Sequence, residues 1–188
     1  MQALVLDLLD YSRVSNRQRP FAAVDMADVM VAARSNLAEQ IAAAGAHVTV
    51  GPMPMVGGDF VQLVSLMQNL IGNAVKFRAP GRRPEVTISA RETPEHHVIE
   101  VCDNGIGIAP EHAQRIFEIF RRLHTAHEYP GTGVGLALAK RIAECHGGEL
   151  SMDATAKAVT AAAKLGDVTV LCAGASAKGA ADEAATIE

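Results

Sequence analysis

Apolar residues along this chain follow two rhythms, and the switches between them mark out its elements. From Asp59 to Phe77, residues Phe60, Leu63, Val64, Met67, Leu70, Ile71 and Ala74 recur every three or four positions, the spacing of a buried helix face. The opposite stripe, Gln62, Ser65, Asn69, Asn73 and Lys76, is polar. Further on, "EVTISA" and "HHVIEVC" alternate with period two around a short turn near Pro94, which predicts a β-hairpin. Residues 2–15 place Leu4, Leu8 and Tyr11, with Val5 and Leu9, on a helical stripe that reads as the end of a longer helix. Pro20 breaks it, because the residue before a proline is pushed out of the helical region.

The same rhythms fill in the rest. "AAVDM" is strand-like and leads into one helix over about 26–44, ended by Gly45. "AHVTV" alternates as a strand, and "GPMPMVGG" reads as loop. A short helix is expected from Pro110, and a glycine-rich loop feeds a further helix that stops at Gly147. Helices and an antiparallel hairpin in this order predict an α+β two-layer sandwich.

Composition narrows the picture. With 188 residues, 49% of them apolar, the chain has room for one domain with a real core. A net charge of −4 gives no electrostatic case for nucleic acid or an anionic membrane. No apolar run approaches the ~20 residues that span a bilayer, and the start lacks the basic and small-residue features of a secretory signal. Cys102, Cys145 and Cys172 are few and scattered, which suggests neither a disulfide framework nor a zinc site. A reduced, cytoplasmic, globular protein is expected.

Three stretches carry candidate chemistry. In "NLIGNAVKF", Asn69, Asn73 and Lys76 share one helix face, where two amides and an ammonium suit a metal ion with its polyphosphate. In "DNGIGI", Asp103 ends a strand beside Gly105 and Gly107, an acceptor next to backbone that a flat ligand can approach. In "GTGVGLALAK", Gly131, Gly133 and Gly135 precede a helix whose N-terminus offers amides to phosphate. Alone, each stretch is also an ordinary solvated face, Asx turn or glycine-rich turn. The glycines do not match the dinucleotide fingerprint in spacing or in surrounding elements.

Taken in order, these motifs resemble the ATP-binding domain of sensor histidine kinases, within the GHKL group. "QNLIGNAVKF" is similar to the family's N box, "DNGIGI" to its G1 box, "IFEIF" to its F box and "GTGVGLALAK" to its G2 box. The run "IFRRLHTAHEYPGTGVGLALAK" is especially similar to bacterial phytochrome-type and PAS-linked sensor kinases. The resemblance covers about residues 1–150 and implies a sheet packed on helices, with ATP between the N-box helix and a mobile lid. It implies that Asn73 holds Mg²⁺, that Asn69 and Lys76 contact phosphates or metal, and that Asp103 binds adenine. Gly105 and Gly107 would shape the adenine pocket, and Gly131, Thr132, Gly133 and Gly135 would form the lid. Group members that hydrolyse ATP carry a glutamate one turn before the metal-binding asparagine; here that place is Asn69, whose amide is no general base. The resemblance therefore implies a protein histidine kinase module of a two-component phosphorelay, with no catalytic residue assigned within the chain itself.

Two departures accompany it. His47, His96, His97, His112, His124, His127 and His146 all lack the context of a phospho-acceptor histidine. Residues 1–20 look like the end of a dimerisation helix and its linker, so the acceptor domain, a response regulator and a second copy of the chain are the implied partners. Secondly, residues 21–150 read as the ATP-binding domain, whereas 151–188 read as an unrelated helix–strand–helix tail in place of its closing strands. The helix is expected over 153–165, ended by Gly166, and "DVTVLCA" is expected as a strand. "ATAKAVTAAAKLGDVTVLCAG" resembles the N-terminal region of the electron-transfer flavoprotein α subunit, from which no flavin chemistry carries over. Without closing strands the sheet keeps a bare edge, to be covered by the tail's own strand in a parallel return or by a second chain. A non-catalytic nucleotide-binding or interaction module, disabled by this tail, is the alternative expectation.

Overall fold

A computed structural model describes residues 2–16, 20–94, 96–125, 128–152, 164–165 and 168–174. Helix α1 (Gln2–Asn16) precedes strand β1 (Ala22–Asp25), and Asp25 caps helix α2 (Met26–Asn36) by accepting from the Ala27 N–H at 2.8 Å. A single helix over 26–44 is not what forms. The backbone leaves helical geometry at Leu37, and α3 (Ala38–Ala44) begins afresh before Gly45, which ends it in the left-handed conformation at φ 59°. No proline or glycine lies at Leu37 to signal the break. Strand β2 (His47–Val50) follows as expected.

Strand β3 (Met55–Gly58) lies within "GPMPMVGG", where loop was expected. Pairing overrides local chemistry there: β3 runs antiparallel to β1, with Ala22 opposite Gly58 and Asp25 opposite Met55. Three glycines and two prolines hid a strand that exists because a distant partner holds it. Helix α4 (Phe60–Lys76) starts at Asp59, whose side chain accepts from the Val61 and Gln62 N–H groups. Its apolar face is buried as predicted, with Leu63, Met67 and Ile71 fully inside. Phe60 is the exception: in the first turn it lies beyond the core's edge and is 41% exposed.

Strands β4 (Glu85–Glu92) and β5 (His97–Asp103) form the predicted antiparallel hairpin, Val86 opposite Asp103. After two single 3-10 turns, at Pro110–His112 and Arg115–Phe117, come α5 (Gly135–Cys145) and β6 (Leu150–Met152). Lys164–Leu165 forms a short strand, β7, and Val168–Gly174 forms β8. The helix expected as far as 165 is thus contradicted at its last two residues. Lys164 and Leu165 pair antiparallel with Thr169 and Val168. The rest of that expected helix, 153–163, and the final segment, 175–188, lie outside the described residues.

The main sheet has the order β2-β4-β5-β8-β6, with β7 on β8. Strand β8 pairs parallel with β5 on one side and with β6 on the other, so the tail's own strand covers the edge in the parallel sense anticipated. One sheet face, through Val86, Ile88, Ile99 and Val101, packs with α2, α4 and α5 into the core, while Glu85 and Thr87 of β4 point to solvent. On α1, the half-buried positions are Leu4, Asp7, Tyr11 and Val14, and Val5, Leu6, Leu8 and Leu9 face out. The stripe that touches the body is therefore rotated from the one expected, and it includes a carboxylate. Among the described residues no helix is long and apolar enough to cross a membrane.

Candidate functional site

The polar stripe of α4 forms one wall of a cavity of about 270 Å³. Asn69, Asn73 and Lys76 line that wall, Asp103 and Gly107 come from the end of β5 and the loop after it, and Gly131, Thr132, Gly133 and Gly135 close the third side. Nine of the ten residues singled out in the sequence thus meet around one space. Gly105 is the tenth, and it sits behind the wall. Its N–H donates to Asp103 Oδ1 at 2.8 Å, and a Cβ at this position would collide with the Phe77 carbonyl. Glycine is needed there for close packing of the loop on the end of α4.

The cavity wall carries both signs of charge. Burial pushes the Asp103 carboxyl up to about 6, a rise tempered by the Gly105 N–H. Asp103 Oδ1 makes an Asx turn with Gly105. The neighbouring Asn104 is structural: its Oδ1 accepts from the Glu85 N–H and its Nδ2 donates to the Arg83 carbonyl, tying the hairpin ends together.

Part of the wall is cationic. Lys76, Arg121 and Arg122 all line the cavity. Burial first, then the Arg122 guanidinium, holds the Lys76 ammonium below its ordinary range. Like charges gathered in a half-buried wall favour an anion between them. Lys76 Nζ also lies 4.2 Å from the centre of the Phe77 ring and beside Gly131, where a Cβ would sit 3.0 Å from it. Helix α5 opens onto the cavity through Gly135 and Leu136, with Val134 as its N-cap and no side-chain cap.

The loop between Phe117 and Gly135 is pinned at several points. Phe77, His124 and Tyr129 form an aromatic cluster with centroids 5.0–6.0 Å apart, and the Tyr129 hydroxyl donates to the Arg78 carbonyl at 3.0 Å. The Phe120 N–H donates to the Gly133 carbonyl at 2.9 Å, with Phe120 in the left-handed region at φ 65°. Arg122 Nη2 donates to the Tyr129 carbonyl. Arg121, Arg122, His124 and Tyr129 were not singled out in the sequence, nor was Asp7, which reaches the cavity from α1. The basic pair inside "IFRRLHTAHEYPGTG" was the available signal for the first two; nothing local marked Asp7.

Among the described residues no group of three or more His, Cys, Asp or Glu side chains is placed to hold a metal ion. The oxygen donors that line the cavity include the amides of Asn69 and Asn73 beside the Asp7 and Asp103 carboxylates. Asn69 Nδ2 donates to the Ser65 carbonyl at 2.8 Å, which turns Oδ1 toward the start of α5, 2.5 Å from where a Cβ on Gly135 would stand. Amide oxygens and few protein ligands fit Mg²⁺ carried in with phosphate oxygens and water, and they do not fit a thiolate or imidazole metal.

Comparison with known proteins agrees with this geometry. The profile of a family described as histidine kinase-, DNA gyrase B-, and HSP90-like ATPase matches residues 58–171. Cyanobacterial phytochrome A of Nostoc sp. is 44% identical over 150 residues, covering 80% of this chain and 20% of that protein. The crystal structure of full-length ShkA in complex with AMPPNP superposes with a TM-score of 0.66 at 28% identity, over 80% of this chain and 32% of that one. The mycobacterial sensor histidine kinase MprB gives a TM-score of 0.60 at 30% identity, over 71% of this chain and 85% of that one. The chain spans about one fifth of the length of the phytochrome it matches.

Proposed function

The chain belongs to the histidine kinase-, DNA gyrase B- and HSP90-like ATPase family as an ATP-binding catalytic domain of the sensor-kinase type, and on that premise we propose how its residues work. Adenine lies at the Asp103 end, where the carboxylate accepts from the exocyclic amine and Gly107 lets the ring approach. The triphosphate lies at the opposite end, between Lys76, Arg121 and Arg122 and the loop Gly131–Gly135, with the N-terminus of α5 facing it. Asn73 and Asn69 hold Mg²⁺ through amide oxygens; when bound, the ion neutralises phosphate charge and fixes the orientation of the γ-phosphoryl group.

The reaction transfers that group to an imidazole nitrogen of a histidine on a dimerisation helix outside this sequence: the new N–P bond forms, the bond to the β-phosphate oxygen breaks, and ADP leaves. This chain's share is to position the nucleotide, exclude water and supply cations, which suits a reaction governed by geometry and electrostatics. With Asn69 where a hydrolase of the group has glutamate, no side chain on this wall activates water. The outward-facing Val5, Leu6, Leu8 and Leu9 of α1 support pairing with a second copy, and a response regulator is the downstream acceptor. The domain works in the cytoplasm, where ATP is held.

The observation that carries this reading is one cavity that brings together the desolvated Asp103 carboxylate, the cations Lys76, Arg121 and Arg122, and a glycine loop. The test is calorimetry with AMPPNP, with and without Mg²⁺, followed by transfer of labelled phosphate from ATP to a supplied histidine-bearing helical domain. Mg²⁺-dependent binding and transfer are expected. Binding without transfer would leave a nucleotide-binding module, and no binding by folded protein would sink the reading.

A further inference from the structure

Helix α1 packs along α5 and presents Leu4, Asp7, Tyr11 and Val14 inward, positions three and four apart along one stripe. Tyr11 and Val14 rest against the core, as expected of an inward stripe. Asp7 is the charged member, and it does not turn away. It lines the nucleotide cavity and accepts a hydrogen bond from Thr132 Oγ1 at 2.5 Å, across 125 positions of sequence. Thr132 stands between Gly131, which abuts Lys76 Nζ, and Gly133, whose carbonyl holds Phe120. The carboxylate therefore sits on the loop beside Lys76 that the proposed function gives to the triphosphate.

A carboxylate and a triphosphate compete for the same cations and for the same hydroxyl. We propose that Asp7 is a latch: docking of α1 on Thr132 and binding of the triphosphate oppose one another, so nucleotide loosens α1 and a docked α1 weakens nucleotide. This rests on the nucleotide reading of the site and adds its regulation. Reciprocity follows from linkage, since a helix that lowers the affinity for nucleotide by some factor is itself released by nucleotide to the same degree. A signal arriving along α1 would thereby reach the phosphate end without touching the adenine end.

The test uses the full chain. Asp7→Asn keeps an acceptor for Thr132 but removes the charge, and AMPPNP with Mg²⁺ should bind it about tenfold more tightly than wild type. Asp10→Asn removes an exposed charge three residues along the same helix, one that pairs with Arg13, and should leave the affinity unchanged. Hydrogen exchange of amides 4–14 should accelerate on addition of AMPPNP in wild type, and adenosine, which lacks phosphates, should not reproduce it. Binding of AMPPNP to Asp7→Asn within twofold of wild type would overturn the latch alone. Weaker binding would also overturn it, by making Asp7 a contributor to the metal or phosphate site. If no variant binds AMPPNP while all remain folded, the nucleotide reading itself fails and the latch falls with it.

Discussion

Replacing Asp103 by Asn should move stability and affinity in opposite directions. Burial raises this carboxyl from an ordinary 3.8 to about 6. A folded group that holds its proton more tightly than the unfolded chain stabilises the fold most below 3.8, and that contribution is lost as pH rises through about 6. At pH 7 the empty site thus carries a desolvated charge, and at about 1.4 kcal/mol per unit the penalty is roughly 1–3 kcal/mol once access from the cavity mouth is allowed for. Asparagine keeps the Gly105 hydrogen bond through its own Oδ1 and carries no charge, so the melting temperature at pH 7 should rise by roughly 2–10 °C. AMPPNP should meanwhile bind ~10- to 100-fold more weakly, since a charged hydrogen bond worth about 1.5–3 kcal/mol is replaced by an amide donor facing an amine donor. Between pH 7 and pH 5 wild-type affinity should fall about tenfold as the carboxylate is protonated, a component absent from the variant. Comparing the two calorimetric pH profiles cancels the titration of the phosphates. A variant that melts below wild type, or that binds within threefold of it at pH 7, would refute the reasoning.

Other perturbations test the frame around the site. His146 is buried, stacks on Phe21 at 4.6 Å, accepts from the Asp59 N–H through Nε2 and donates from Nδ1 to the Ile142 carbonyl. Burial lowers its pKa from 6.5, so its contribution is fully present above 6.5 and is lost as pH falls from there through the lower value of the folded state. Urea unfolding should show an acid-sensitive slope below pH 6.5, which His146→Leu removes while losing roughly 1–3 kcal/mol at pH 7.5; an unchanged slope would clear His146 of the role. Gly105→Ala must push the Phe77 carbonyl aside and break its bond from the Ile106 N–H, so calorimetry should show AMPPNP binding falling at least tenfold. Val170→Pro puts an imino acid in a strand paired on both sides, opposite Ile99 and Leu150. A loss of ~3 kcal/mol or more in urea unfolding is expected, with light scattering from the exposed sheet edge; a wild-type midpoint would show that β8 does not close the sheet.

The parts of the site that could be read from sequence are those whose reason is local. The stripe Asn69, Asn73 and Lys76 is visible because a helix repeats every 3.6 residues and the opposite face of α4 is apolar. Asp103 is visible because it ends an alternating strand and meets two glycines. Pairing at a distance left no such trace. Met55–Gly58 became a strand through β1, Phe60 lost its cover at the helix start, and Leu37 split a helix with no breaker present. Asp7 is the extreme case. Its neighbours in sequence are apolar and read as a helical stripe, and only the packing of α1 on α5 brings it to Thr132.

That packing logic also explains why the end of the chain bears on the nucleotide. Strand β5 terminates in Asp103, which faces Val86 on β4 and Gly174 on β8. A strand held by one neighbour can slip in register, and a slip by one residue turns every side chain to the opposite face. With β8 aligned from Val168 to Gly174, the whole of β5 from His97 to Asp103 is fixed on both sides. The matched family profile continues to residue 171, inside β8. The strand supplied by the alanine-rich tail therefore does more than cover an edge: it fixes the register in which the Asp103 carboxylate points into the cavity instead of away from it.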